Sequence, residues 1–418
     1  MSEPAATTPE RERTPERPGA GSELLRQIVT GNVLISVLAI VLALVIGAVL
    51  IAVADERVGE TISYVFARPG DFLGAAWSAV SDAYVAMFRG AVFDWQAPSF
   101  DRQIRPLTES LVNASPLILA GLGIAIGFRA GLFNIGAQGQ IIVGAILASY
   151  VGFAWDLPVV LHLLVAVVGG LVGGAIWGGI PGVLKARFGA NEVIVTIMLN
   201  YVAVNLVAYL LTVGQFNASG TGLRSPTIAS TAAYPHLIPD AILENSFRLH
   251  WGFVVAILAA VFTWWLLERS TLGFEIRASG ANPRAARTAG MSVGRITVLT
   301  LVIAGMMAGL AGTTQALAPG GSLTAGVAAS FGFDAITVAL LGQSRPLGTF
   351  LAGLLFGALR AGGTLMQSVT ATPIDIVLVV QSVIVLLIAA PPLVRSIFRL
   401  PDPAALRPRR TTTKEAAA

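Results

Sequence analysis

The sequence has no cysteine, which removes disulfides, thiolate metal sites and cysteine nucleophiles together. Histidine is almost as scarce. Only His162, His236 and His250 occur, none near another in the sequence, so nothing there points to a histidine metal cluster. Lysine appears twice, as Lys185 and Lys414, followed by Ala186 and Glu415. A phosphate-binding P-loop needs Lys followed by Ser or Thr in a Gly-rich turn, so the chain carries no Walker-type ATPase site. Charge of either sign is sparse: 12% of the 418 residues, against roughly 25% in a soluble domain. With 55% hydrophobic residues and a mean hydropathy of +0.76, neither a water-soluble enzyme nor a disordered chain fits. What remains is an all-α, polytopic membrane protein whose solvent is the lipid bilayer. Its 45 glycines suit membrane helices whose backbones approach closely.

Residues 1–31 are rich in Pro, Glu and Arg and read as a disordered cytoplasmic tail. No signal peptide is expected, because the first apolar run starts late and lacks a cleavage pattern. That run, 33–54, is long enough for a span of about 20 residues. Further apolar runs at 110–128, 135–154, 158–181, 192–213, 251–268, 296–317, 327–342, 347–366 and 374–394 bring the expected total to ten spans. The transmembrane domain then covers 32–395, followed by a basic tail at 396–418.

The Arg residues lie between these runs, so the pI near 9.7 marks membrane topology and not nucleic-acid binding. Alternating ten spans from a cytoplasmic N-terminus puts Arg129, Lys185, Arg187, Arg345, the arginines of 270–295 and the C-terminal tail in the cytoplasm. Both termini are therefore cytoplasmic. The 55–107 segment, with seven acids against five Arg, falls outside, as does the 214–250 loop with Pro226, Pro235 and Pro239. Phe72, Trp77, Val80, Tyr84 and Phe88 recur at helical spacing. They predict an amphipathic helix lying on the outer membrane surface or on the bundle.

Two Gly/Pro interruptions sit at corresponding places in the two halves, at 131–140 and at 319–326. Paired broken helices point to a midplane pathway, where unwound backbone offers polar groups to a solute; ordinary turns between short helices are the alternative. Asn134, Gln138 and Gln140 lie in the first break. Asn191, Thr196 and Asn200 follow in the fifth span, with Thr196 and Asn200 on one face. Amides and hydroxyls can bond a neutral solute without a net charge in the bilayer, or can bond neighbouring helices. Glu192 and Asp334 are read as acids at helix starts, favoured by the helix dipole.

The segment 270–295 is the most specific feature. Asn282 caps a short helix with Pro283 at its first position, Arg277, Arg284 and Arg287 make it basic, and Gly290 ends it. A capped, basic helix between two spans is built to dock.

From Gly280-Ala281-Asn282-Pro283 to Ala289-Gly290-Met291, this segment resembles the coupling helix of ABC importer permeases of the branched-chain amino acid, ribose and nucleoside type. Phe133 to Gln140, Asn191 to Tyr201 and Phe333 to Gly342 are similar to the nucleoside/simple-sugar branch. In that branch Glu is usual where Gln138 stands. The resemblance covers roughly 33–395. It implies a non-catalytic, multi-pass subunit of the bacterial cell membrane, without a cofactor, that works with ABC ATPase subunits, a second permease and an extracellular solute-binding protein. The solute it implies is a nucleoside, with a ribose-type sugar or a branched-chain amino acid as alternatives. An ion-gradient-driven secondary transporter is the competing class, and it would not need a docking helix.

Overall fold

The computed structural model describes residues 32–218, 223–238 and 247–399; the 1–31 tail, most of the C-terminal tail and Pro239 lie outside them. Among the described residues there are fifteen α-helices and no strand, only two isolated bridges.

Eight helices are long and apolar enough to cross a membrane. They are α1 (Asn32–Ala54), α4 (Phe100–Arg129), α5 (Ala137–Ala154), α6 (Val159–Phe188), α7 (Glu192–Leu210), α8 (Gly252–Arg269), α11 (Val293–Ala316) and α13 (Pro346–Thr370). The other two expected spans are shorter. Helix α12 (Phe331–Leu341) has 11 residues and α14 (Asp375–Ala389) has 15. At 1.5 Å per residue, α12 reaches only about 16 Å, half a bilayer. The apolar run from 327 is not helical until Phe331. Ala329 adopts a left-handed φ of 39°, which no helix continues through, so the second break extends further than its Gly and Pro residues mark.

Burial sorts the helices into layers. The spanning windows of α4, α5 and α11 are 78%, 78% and 72% buried, whereas those of α1, α6, α7 and α8 are 22–33% buried. The first three form the centre, and one apolar core joins them to α12. A second core gathers α1, α13, α14 and the helix α3 (Pro69–Ala91), which follows the short α2 (Glu56–Ile62). Of the two placements expected for the amphipathic helix in 55–107, the bundle is the one observed. The α3 residue Gly90 lies against Leu365 and Gly362 of α13, and the Tyr84 hydroxyl donates to the Leu44 carbonyl of α1.

Glycine makes the tightest seam. On α6, Gly170, Gly174 and Gly178 recur every four residues and face Gly305 and Gly309 of α11. A Cβ on Gly174 would overlap the Gly305 carbonyl oxygen, and one on Gly309 would overlap that of Gly170. With lipid as apolar as any side chain, backbone contact of this kind is what draws membrane helices together.

Candidate solute passage and coupling surface

The first break is shorter than its sequence suggests. Gly131, at φ 70°, turns the chain out of α4, residues 132–136 are irregular, and α5 starts at Ala137. Gln138 and Gln140 therefore stand in the first turn of a helix and not in the break. A broken helix leaves N–H and C=O groups that nothing in a bilayer can satisfy. The amides expected to meet a solute satisfy them here. Asn134 Oδ1 accepts from the Gly136 N–H at 3.0 Å, and the Asn134 and Gln140 side chains bond each other at 3.1 and 3.3 Å. Asn200 accepts from the Gly139 N–H at 2.8 Å and donates to the Ile135 carbonyl at 2.9 Å. Thr196 donates to the Glu192 carbonyl one turn back, at 2.7 Å, and packs against Gly136.

Gln138 joins the two breaks. Its Nε2 donates to the Ala329 carbonyl at 2.6 Å, and its Oε1 accepts from the Gly332 N–H at 2.9 Å. Donor and acceptor are both needed. A carboxylate could serve Gly332 but would face the Ala329 carbonyl with a second acceptor, which gives a physical reason for an amide at position 138. Asn134, Gln138, Gln140, Thr196 and Asn200 are thus brought together, all buried. Asn191 is not among them: it is exposed and caps α7, accepting from the Val193 and Ile194 N–H groups.

One polar pair went unnoticed in the sequence. Arg360 of α13 bonds Asp334 of α12 at 3.2 Å, Ser330 donates to the same carboxylate oxygen at 2.7 Å, and the guanidinium lies 4.3 Å from the centre of the Phe331 ring. The signal was available: an Arg inside the apolar run 347–366 is a charge that a span does not carry without a reason.

The basic segment divides into two helices, α9 (Thr271–Ala281) and α10 (Pro283–Thr288). Ser270 caps α9 by accepting from the Gly273 N–H. Asn282 caps α10, accepting from Arg284 and Ala285 N–H at 3.0 and 3.1 Å. Pro283 takes the first helical position, and Gly290, at φ 84°, follows the end. Of α10 only Ala286 is buried, while Asn282, Pro283, Arg284, Arg287 and Gly290 are all exposed. Arg277, on α9, is half-buried beside Glu268 at 3.9 Å. Helix α9 is seated on the end of α4, where Gly280 leaves no room for a side chain against the Arg129 carbonyl and Ala130.

Comparison with known proteins decides what this architecture belongs to. Residues 107–389 match the family model described as branched-chain amino acid transport system, permease component. The chain belongs to that permease family. It is 38% identical over 324 residues to the guanosine ABC transporter permease protein NupP of Bacillus subtilis, covering 75% of this chain and 86% of that one. It is 36% identical to the glucose ABC transporter permease protein TsgB13 of Haloferax volcanii, over 67% of this chain and 75% of the relative. It is also 36% identical to the nucleoside ABC transporter permease protein NupB of Lactococcus lactis, over 68% and 79%. The protein is a non-catalytic, multi-pass permease subunit of an ABC importer in the cell membrane, which accords with its lack of a P-loop lysine.

The far end of the permease bundle is closed by residues 223–238, which bond the second break directly. The Ser225 N–H donates to the Leu323 carbonyl at 3.0 Å and the Ile228 N–H to Gly321 at 3.0 Å, while His162 holds Thr231 at 2.7 Å. His250 stacks on Tyr234, ring centres 5.5 Å apart. Burial pushes the His250 imidazole down to about 4, helped by His236 and Arg248, and pushes the Tyr234 phenol up to about 12. Both are neutral at pH 7, so this lid is held by neutral contacts.

Proposed function

We propose that this permease, paired with a second one, forms the passage for a nucleoside, and that α10 is the surface on which an ABC ATPase subunit docks. An extracellular solute-binding protein would deliver the solute. The observation that carries the reading is α10 itself: capped at one end, terminated by a glycine at the other, basic, and exposed over all but one residue while its neighbour α9 is anchored to α4. Two of the relatives named above carry guanosine or nucleoside in their names, which favours a nucleoside; the glucose permease makes a monosaccharide the second reading.

Arg284→Glu with Arg287→Glu should leave the permease inserted, since neither side chain is buried, and should lower ATP-dependent guanosine uptake at least tenfold. Co-purification of the ATPase subunit should fall in parallel. Normal uptake and normal co-purification in the double variant would remove α10 from the docking role.

The orientation this requires has both termini in the cytoplasm. With no native cysteine, Ser230→Cys is expected to react with an impermeant maleimide in intact cells, and Ala285→Cys only after the membrane is opened. Both positions are exposed. Labelling of residue 285 from outside would invert the topology.

A further inference from the structure

Arg360 lies 14 residues into a helix of 25, about 21 Å from one end and 15 Å from the other, so it sits at mid-span whichever way the chain is oriented. Its partner Asp334 is in the first turn of the half-helix α12. Neither side chain is enclosed by this chain: Arg360 is 29% exposed and Asp334 21%. Much of the rest of α13 is packed. Ile118 and Ala114 of α4 lie against Gly353 and Gly357, Met87 of α3 against Gly362, and Val377 of α14 against Gly363. The stripe Arg360, Thr364, Gln367 stays open, at helical spacing and polar throughout, while the exposed Leu347, Leu351 and Val369 lie on another side of the helix. The outward faces of α6 and α8, with Val168, Val172, Ile176, Leu258 and Val261, are apolar. Lipid can cover those faces but not a stripe with an arginine and a carboxylate at its centre. Such residues face protein or water.

The pair also has unused bonding capacity. Arg360 reaches Asp334 and Ser330 through Nη1 alone, and both contacts on the carboxylate fall on Oδ2. Among the described residues Asp334 Oδ1 and Arg360 Nε and Nη2 have no hydrogen-bond partner. A carboxylate oxygen accepting beside a row of guanidinium donors suits a neutral solute with neighbouring hydroxyl groups, each of which donates and accepts. The Phe331 ring beneath the guanidinium fixes its plane. The four buried amides and Thr196 offer no such opening, because their hydrogen bonds are spent on the breaks and on the helix itself.

We infer that the face carrying Arg360, Asp334, Thr364 and Gln367 lines the water-filled solute passage, and that the Arg360–Asp334 pair holds the hydroxyl groups of a neutral sugar-bearing solute as it crosses mid-membrane. This rests on the permease reading above and moves the solute contacts from the amides to the ion pair.

The test uses the complete transporter in cells. Thr364→Cys and Gln367→Cys should react with a charged, impermeant methanethiosulfonate at least tenfold faster than Val172→Cys on the lipid face, because the reagent needs a thiolate in water. Arg360→Gln and Asp334→Asn should each raise the KM for guanosine uptake about tenfold at unchanged permease abundance and ATP hydrolysis, with Arg360→Lys recovering part of the loss. A merely structural pair would lower abundance and leave KM alone. Labelling no faster than at residue 172 overturns the passage assignment, and an unchanged KM in both charge-removing variants overturns the solute contact. If the unaltered transporter carries glucose but not guanosine, the nucleoside reading fails while the same measurements, made with glucose, still decide this one.

Discussion

Gly174→Leu is expected to eliminate folded permease from the membrane, with abundance down at least tenfold. The first methyl already overlaps the Gly305 carbonyl oxygen, and the next nearest atoms are the Gly309 backbone at 2.8 Å. Nothing at this contact is a flexible side chain that can swing aside. Overpacking a core by ordinary methylenes costs about 1–3 kcal/mol. Here the obstacle is backbone, so α6 and α11 must separate along the whole Gly170–Gly178 face. Gly179→Leu is the control: one residue along the same helix, its nearest neighbour is the Val302 side chain at 3.4 Å, and its loss should be mild. Quantitative blotting of membranes together with size-exclusion profiles in detergent would check the pair. Equal abundance of Gly174→Leu and the unaltered protein would mean the helices do not pack as described.

Gln138→Leu should be the most damaging of the amide substitutions. The volume is nearly conserved, so what is lost is the pair of bonds to Ala329 and Gly332. Each buried backbone group left without a partner costs about 1–3 kcal/mol, and both lie where no lipid can replace the amide. The expected result is a lower melting temperature in detergent together with strongly reduced uptake per molecule. Gln138→Glu should fall between: ionised, it keeps the Gly332 contact and repels the Ala329 carbonyl, and protonated it can make both bonds. Recovery of its activity at lower pH would follow from that protonation. A melting temperature and uptake rate unchanged in Gln138→Leu would show that the two breaks are not tied together here.

Caps and breaks were legible in the sequence because their chemistry is local. Asn282-Pro283 and Gly290 specify α10 without help from the rest of the chain, and Gly131 and the Pro319 region mark where helices stop. The exact resumption of each helix was not legible. Gln138 and Gln140 stand among Gly136 and Gly139 yet are helical, because Asn200, some 60 residues on, accepts the Gly139 N–H and supports the first turn. The apolar run that includes Val327 reads as the start of a span, but Ala328 and Phe331 are buried among central helices, where hydrophobicity reports packing and not lipid. The assignment of the amides to a solute was reasonable from residue type alone. Gln138 and Asn200 bond partners far away in the chain, which no local pattern encodes.

Helix α12 is bounded by residues in torsions that their own Cβ atoms oppose. Ala329 stands at φ 39° before it, and Gln343 and Ser344 at 54° and 52° after it, each disfavoured by roughly 1–2 kcal/mol relative to a right-handed residue. Side chains from other helices meet these ends: Gln138 donates to the Ala329 carbonyl at one, and Arg129 donates to the Ser344 carbonyl at 3.0 Å at the other. The half-helix therefore resembles a wound torsion spring with a latch at each end. Arg129 lies beside Gly280 of α9, so one latch adjoins the segment proposed to dock an ATPase subunit. The strain of these three torsions is thus concentrated at the two ends of α12, where side chains from other helices meet it.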